Sequence, residues 1–280
     1  MKRACPVLLN EVFLTMDWKI HNKSPRTSPR SLRWTALVSF GAALLIWWLV
    51  SHFAGLPAFI LPGPEQVAVR FWQALKDGTL LLHTAATLAE VLLGLLSGTI
   101  AAVVLGYAIA KSRLFEQLVS PYLVATQAIP VVAIAPLLVI WFGPGIFSKV
   151  LICALIVFFP VLVNTVVGVR AVPHPFHDLM QSLHATRLQT LRMLELPASL
   201  PVLLGGLRIG ATLSVIGAVV GELVGSDRGL GFLVNVGRGQ YDTALVFVAV
   251  FTLIALALAL YGLVSFMERK LLVWREPFTR

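Results

Sequence analysis

PHPFHDLMQSLHATRLQTLRMLELPASLP, residues 173–201, is the stretch on which the reading of this chain turns. It is a polar, helix-patterned island between long apolar runs. Pro173 and Pro175 end the run before it and pre-set the first turn of a new helix, where a missing N–H is no loss. Asp178 is expected in that first turn, its carboxylate complementing the positive end of the helix dipole. Leu179, Met180 and Leu183 then share one face. Thr186-Arg187-Leu188-Gln189 fits a capping box, with Gln three after Thr, and so begins a second helix. Leu188, Leu191 and Leu194 repeat every three residues, and Pro197 and Pro201 are expected to bend the chain away. The island reads helix, turn, helix. Two roles fit that pattern: an amphipathic connector lying in a membrane interface, or a docking surface for a soluble partner.

The surroundings decide what kind of molecule carries it. The chain has 280 residues, 58% of them hydrophobic and 12% charged, with mean hydropathy +0.87. A soluble domain carries about twice that share of charge. Several runs reach the ~20 apolar residues that cross a bilayer core, and they do not alternate as barrel strands would. The expected fold is therefore all-α: a polytopic membrane protein with six transmembrane helices.

The spans are expected at 34–53, 83–110, 119–142, 150–169, 202–220 and 244–266. Residues 1–33 read as a disordered basic tail, lacking the apolar core of a secretory signal, and Met16 is a possible start. Residues 54–82 are expected as an outer interfacial segment: three prolines in 56–64 forbid a continuing helix, and the amphipathic piece 65–76 after them is too short and too charged to span. The main transmembrane domain covers 83–268, with the loop 173–201 inside it, and 269–280 is a second tail. Gly94, Gly98 and Gly106 at four- and eight-residue spacing predict close helix approach. Pro130 and Pro136 should kink or locally unwind the third span. Residues 143–149 should make a tight outer turn.

Charge orients the bundle. Six spans put both termini on one side. Arg70, Lys76, Lys149, Arg228 and Arg238 fall on the other, and the rest of the 22 Lys and Arg fall with the termini and the island. The positive-inside rule then makes the termini and the island cytoplasmic. The same distribution, between apolar runs rather than along one face, gives no reason to invoke nucleic acid. Cys5 and Cys153 suggest neither a disulfide nor a metal site.

The island resembles the coupling loop of type I ABC importer permeases: Glu-Ala-Ala, three residues, Gly, nine residues, Ile, any residue, Leu-Pro. Counting back from Leu196-Pro197 puts Asp178, Leu179 and Met180 at the Glu-Ala-Ala positions, His184 at the Gly and Leu194 at the Ile. PVVAIAPLLVIWFGPG (130–145), FFPVLVNTVVGVRAV (158–172), LPASLPVLLGGLRIG (196–210) and GELVGSDRGLGFLV (221–234) resemble the nitrate/sulfonate/taurine branch. The resemblance covers roughly residues 84–268.

What it implies is a bacterial inner-membrane permease that pairs as a homodimer. It would receive solute from an extracytoplasmic binding protein and dock cytoplasmic ABC ATPases. ATPase-coupling residues would be Asp178, Leu179, Met180, Leu183, His184, Ala185, Thr186, Arg187, Leu188, Leu194, Leu196 and Pro197. The chain has no GxxxxGK[ST] loop, so ATP and Mg are expected on the ATPase, no cofactor on this chain, and no enzymatic activity of its own. The third and fourth spans look most like permeases for hydroxymethylpyrimidine-type thiamin precursors or riboflavin. Sulfonate, taurine and nitrate systems share the fold.

Candidate pathway or gating residues are Gln127, Pro130, Pro136, Asn164 and Glu222, with Trp141 a weaker candidate. Gln127 and Asn164 serve equally well as interhelical hydrogen-bonding groups, and Trp141 as an interface anchor. Glu222 sits at the outer end of its span beside a glycine-rich loop, where a gating or binding-protein contact is expected. Glu90 is expected to snorkel to the interface. Residues 227–231 should turn into a short outer helix. A self-sufficient secondary transporter would need inverted repeats and midplane ionisable groups, and a membrane enzyme would need clustered polar chemistry; neither pattern is visible.

Overall fold

Helix follows helix through the computed structural model, which describes residues 29–55 and 57–272, and those residues contain no β-strand. The chain divides into two compact units, Met1–Val50 and Ser51–Arg280. Residues 29–50 of helix α1, Pro29–Phe53, make up the described part of the first. The helix takes in residues 29–33, which had been expected in the tail. Residues 1–28, with Cys5 and Met16, lie outside the described residues, as do 273–280.

The second unit contains α2 (Pro64–Lys76), α3 (Thr79–Lys111), α4 (Arg113–Ala128), α5 (Val131–Phe142), α6 (Ile146–Arg170), α7 (His174–Ser182) and α8 (Arg187–Thr190). A π-helical turn, Leu191–Glu195, then leads into α9 (Leu196–Val224), followed by α10 (Leu230–Gly239) and α11 (Thr243–Leu271). Four helical runs are long and apolar enough to cross a bilayer: α3, α6, Arg187–Val224 and α11. Helices α4 and α5 qualify together, bent by 95° where they meet.

Proline explains that bend, but only one proline makes it. Pro130 caps α5 without an N–H to give, and Ile129 before it is forced to φ −92°, ψ 117°. Pro136, also expected to kink this span, sits within α5 without breaking it, as Pro160 does in α6. Pro197 and Pro201 depart from expectation in the same way: they lie in the first turn and interior of α9, and the helical run continues from Arg187 to Val224.

At the centre stands α6, packed along α3 on one side and α9 on the other. Small residues make both contacts. A Cβ on Gly98 would stand 2.6 Å from the Ala154 carbonyl oxygen, and one on Gly106 2.9 Å from Thr165 Cβ. Gly94 lies against Cys153; from the other side a Cβ on Gly217 would be 2.8 Å from Cys153 Cα. Such close backbone approach replaces the hydrophobic drive that helices lack in lipid. Leu96, Ile100 and Val104 of α3 and Leu258 of α11 point outward and exposed, the arrangement hydrocarbon favours.

Side-chain contacts fix which helix ends lie together. Lys111, closing α3, meets Glu195 at the entry to α9. Thr87, early in α3, meets Glu222 late in α9, and Glu90 meets Lys149 at the start of α6. The α4–α5 pair therefore leads from one end of the bundle to the other, as a bent crossing rather than a re-entrant hairpin. Helix α2 buries Val67 and Ala74, packs against α3 and α11, and is held by Arg70 Nε at 2.7 Å from Asp242 Oδ2.

Candidate functional site

The island folds as the helix-turn-helix its pattern predicts. Pro173 caps α7 and Pro175 lies in its first turn. Asp178 is not in that first turn, which holds no acidic residue; because the helix starts at His174, Asp178 falls in the second. The helix ends in a Schellman arrangement: the His184 N–H donates to Gln181 O at 2.9 Å and the Ala185 N–H to Met180 O at 2.9 Å. That geometry needs a left-handed residue, usually glycine. His184 supplies it, at φ +52°. The turn thus has the backbone of the Gly position to which His184 was aligned.

Thr186 then caps α8. Its Oγ1 accepts from the Gln189 N–H at 3.3 Å, and Gln189 Oε1 accepts from the Thr186 N–H at 2.7 Å. Both bonds of the capping box are made. Ala185, Met180, Leu191, Leu194 and Pro197 are half-buried, whereas Leu179, Leu183, Leu188 and Leu196 are exposed together with Asp178, His184, Thr186 and Arg187. Leu183 at 68% and Leu188 at 55% exposure flank the turn. An apolar row on a polar segment is unusual for a free surface.

Sequence reasoning missed the group beneath it. Glu195, 2% exposed, ends the π-helical turn and points into the bundle. Its Oε2 accepts from Tyr107 Oη at 3.0 Å, its Oε1 is bonded by Lys111 Nζ, and His177 Nδ1 of α7 stands 3.8 Å away. Nearby, Arg170 grips Glu116 with two nitrogens, at 2.8 and 2.7 Å. The sole hint in the sequence was a lone carboxylate between Leu194 and Leu196 at a position of free choice.

The opposite end holds a second, denser polar group. Lys149 Nζ donates to Glu90 Oε1 at 2.9 Å and Ser226 Oγ at 2.6 Å. Glu222 accepts from Thr87 Oγ1 at 2.6 Å and from the Gly231 N–H at 2.5 Å. Thr87 Oγ1 in turn accepts from the Leu230 N–H at 2.8 Å, and His83 Nδ1 from the Gly229 N–H at 2.9 Å. These bonds tie the turn before α10 to α3, α6 and α9. Gly229, at φ +112°, leaves room for the Glu222 carboxyl where a Cβ would collide with it.

Two expectations are corrected here. Glu90 does not snorkel: it is 2% exposed and ion-paired. Lys149 does not lie in an outer turn; it is the buried partner, because α6 already begins at Ile146. The polar chemistry that looked absent from the spans is thus assembled here from separate helices. Glu222 is enclosed too, at 1% exposure, and it holds the turn before α10. Residues 227–231 do turn into the short helix α10.

The other candidates do not gather. Gln127, Pro130, Pro136 and Trp141 are exposed along α4–α5. Asn164 bonds within its own helix, Nδ2 to Pro160 O at 2.8 Å, rather than between helices. No group of three or more His, Cys, Asp or Glu among the described residues could hold a metal ion.

The family described as "Binding-protein-dependent transport system inner membrane component" matches residues 94–273. The riboflavin transport system permease protein RibX of Chloroflexus aurantiacus is 48% identical over 255 residues, 90% of this chain and 95% of that protein. The formylaminopyrimidine transport permease protein ThiX of Halalkalibacterium halodurans is 36% identical, over 83% and 92% of the two chains. The taurine transport system permease protein TauC of Escherichia coli is 34% identical, over 96% and 98%. Among solved structures, the inward-facing MetNI methionine ABC transporter matches with TM-score 0.57 and 18% identity, over 66% of this chain and 93% of that one.

Proposed function

The chain belongs to the binding-protein-dependent transport system inner membrane components, and from that premise we propose that it is the translocating subunit of an ATP-driven bacterial importer. It crosses the inner membrane six times, by α1, α3, the bent α4–α5 pair, α6, the α8–α9 run and α11, with both termini and the α7–α8 loop in the cytoplasm. Two copies pair around a pathway. An extracytoplasmic binding protein delivers solute to the end carrying Glu222, and ABC ATPases holding ATP and Mg dock on the α7–α8 loop. This chain binds neither.

One observation carries the docking role: the exposed apolar pair Leu183 and Leu188 on either side of a turn whose His184 takes the left-handed backbone of a glycine. A connector resting in lipid would have no need to lock that turn with a Schellman motif and a capping box. The contact residues are Asp178, Leu179, Leu183, His184, Thr186, Arg187, Leu188 and Leu196, with Met180, Ala185, Leu194 and Pro197 supporting them from the half-buried side. Closure of the ATPases pushes this element and switches the pathway as a rigid-body movement. Leu188→Glu or Asp178→Lys should abolish uptake while leaving the permease folded and in the membrane. Normal uptake by both variants would sink the docking role. An epitope placed in 225–229 should be reached from outside intact cells, and labelling only after permeabilisation would reverse the topology.

For the solute we favour riboflavin, or a pyrimidine precursor of thiamin, because the chain matches RibX and ThiX over most of both proteins. An alkanesulfonate such as taurine is the second reading, supported by the match to TauC over nearly its whole length. Uptake of riboflavin, formylaminopyrimidine, taurine and nitrate should be compared in a deletion strain and its complemented parent. Loss of riboflavin and pyrimidine uptake alone is the expected result, and loss confined to taurine would move the assignment to the sulfonates.

A further inference from the structure

Helix α7 packs along none of the spanning helices. A cleft of 810 Å³ lies between it, the end of α3 and the entry to α9, lined by Tyr107, Lys111, His177, Gln181, Leu191 and Glu195 among others. A push on α7 therefore has little apolar surface through which to reach the bundle directly. At the floor of the cleft is Glu195, 2% exposed. Through one carboxylate it joins the π-helical turn it ends to the inner end of α3 through Tyr107 and Lys111, and it faces the flank of α7, where His177 stands 3.8 Å away.

The backbone at this point is built to shift. A π-helical turn places one extra residue in the helix, and such turns are marginal against an α-helical register. Leu191–Glu195 is the segment through which α8 becomes the spanning helix α9. A change of register there would rotate Glu195 and draw on Lys111 and Tyr107, one helical turn apart on α3. Charge-assisted bonds to a buried carboxylate are strong and directional enough to carry such a pull.

Resting on the docking role proposed above, we infer that Glu195 is the positioning residue that couples the α7–α8 loop to α3, so that displacement of the loop by the ATPases moves the inner end of α3. Its work is mechanical: it touches neither solute nor nucleotide, and it acts through Lys111 and Tyr107.

The test uses the full complex with its ATPase in nanodiscs, with Cys5 and Cys153 replaced by alanine. Spin labels at Val104 of α3 and Leu258 of α11, both exposed, report movement of α3; a second pair, Ser182 and Leu258, reports movement of α7. Trapping with ATP and vanadate should change both distances in the parent complex. In Glu195→Gln the α7 distance should change as in the parent, ATP hydrolysis should persist, and the α3 change should fall to half or less. Tyr107→Phe, which removes one contact and no charge, should weaken it partially. Lys111→Glu combined with Glu195→Lys should restore it.

An α3 change in Glu195→Gln equal to the parent's would overturn the inference. So would loss of both movements together, unrestored by the charge exchange, since that is the signature of a residue needed only for folding. A parent complex in which neither distance responds to ATP would instead remove the docking role itself.

Discussion

The two ends of the bundle solve opposite problems. At the α7–α8 end, apolar side chains are left in the open and the backbone around them is locked by bonds between residues three to five apart, from Met180–Ala185 to Thr186–Gln189. At the Glu222 end, ionisable groups are driven inside and satisfied by partners far away in the chain: Glu90 is ion-paired with Lys149, and Glu222 accepts a hydrogen bond from Thr87. One end is a local motif presented outward. The other is a tertiary lock turned inward, and it holds the turn before α10. Under the docking role proposed above, local bonds would let the α7–α8 loop keep its shape while a partner comes and goes. The turn before α10 is instead held by contacts from α3, α6 and α9 that would have to break as a set.

That contrast sets the largest expected effect. Lys149 and Glu90 are both buried, and removing one member of such a pair leaves the other charged and unpaired, at about 3–5 kcal/mol. Lys149→Met should cost that much in thermal or denaturant unfolding in nanodiscs, and Lys149→Met with Glu90→Leu should recover most of it. Lys111→Met at the other end should cost less, about 1–2 kcal/mol, because the Lys111 side chain is 42% exposed and buried Glu195 keeps the Tyr107 hydroxyl as a partner after the change. Equal losses at Lys149 and Lys111 would break the distinction between an inward lock and a surface-accessible tie.

The same contrast explains what the sequence could and could not reveal. The caps of the island, the glycine spacing along α3 and the break at Pro130 depend on neighbours within a few residues, and each could be read directly. Even the strain at His184 was readable, since the count from Leu196-Pro197 set a histidine where glycine is usual. Asp178 was misplaced by a turn because the proline signal marks a helix start only to within a few residues. Pro136, Pro160 and Pro201 did not break their helices, because neighbouring helices in a bundle support a proline that an isolated helix would not tolerate. Glu90, Lys149 and Glu195 were misread or missed for another reason. Their partners lie 59 and 84 residues distant, and nothing local distinguishes a carboxylate that meets an ammonium from one that reaches for water.

A smaller effect probes the local end alone. Thr186→Ala removes the hydroxyl that accepts from the Gln189 N–H, a cap worth about 1 kcal/mol. Hydrogen exchange should speed up at the α8 amides by a corresponding factor of about five, with global unfolding of the bundle unchanged. If Thr186→Ala lowered global stability as much as Lys149→Met does, the island would be part of the bundle's core rather than a motif carried on it.

The smallest expected effect lies at His184, and its sign matters more than its size. A non-glycine residue in the left-handed region costs roughly 1–2 kcal/mol, although histidine is among the residues found there more often. Glycine removes that strain but gives the unfolded turn more freedom, an opposing loss of about 0.5–1 kcal/mol. His184→Gly should therefore slow exchange at the Ala185 amide, which closes the turn onto Met180 O, by a net stabilisation no greater than about 1 kcal/mol. His184→Ala keeps the strained backbone and should gain nothing. The difference between the two isolates the backbone from the imidazole. Were Ala to loosen the turn relative to the parent, the exposed imidazole ring would itself be bonding across it, and the turn would owe its shape to a side chain rather than to its place in the motif.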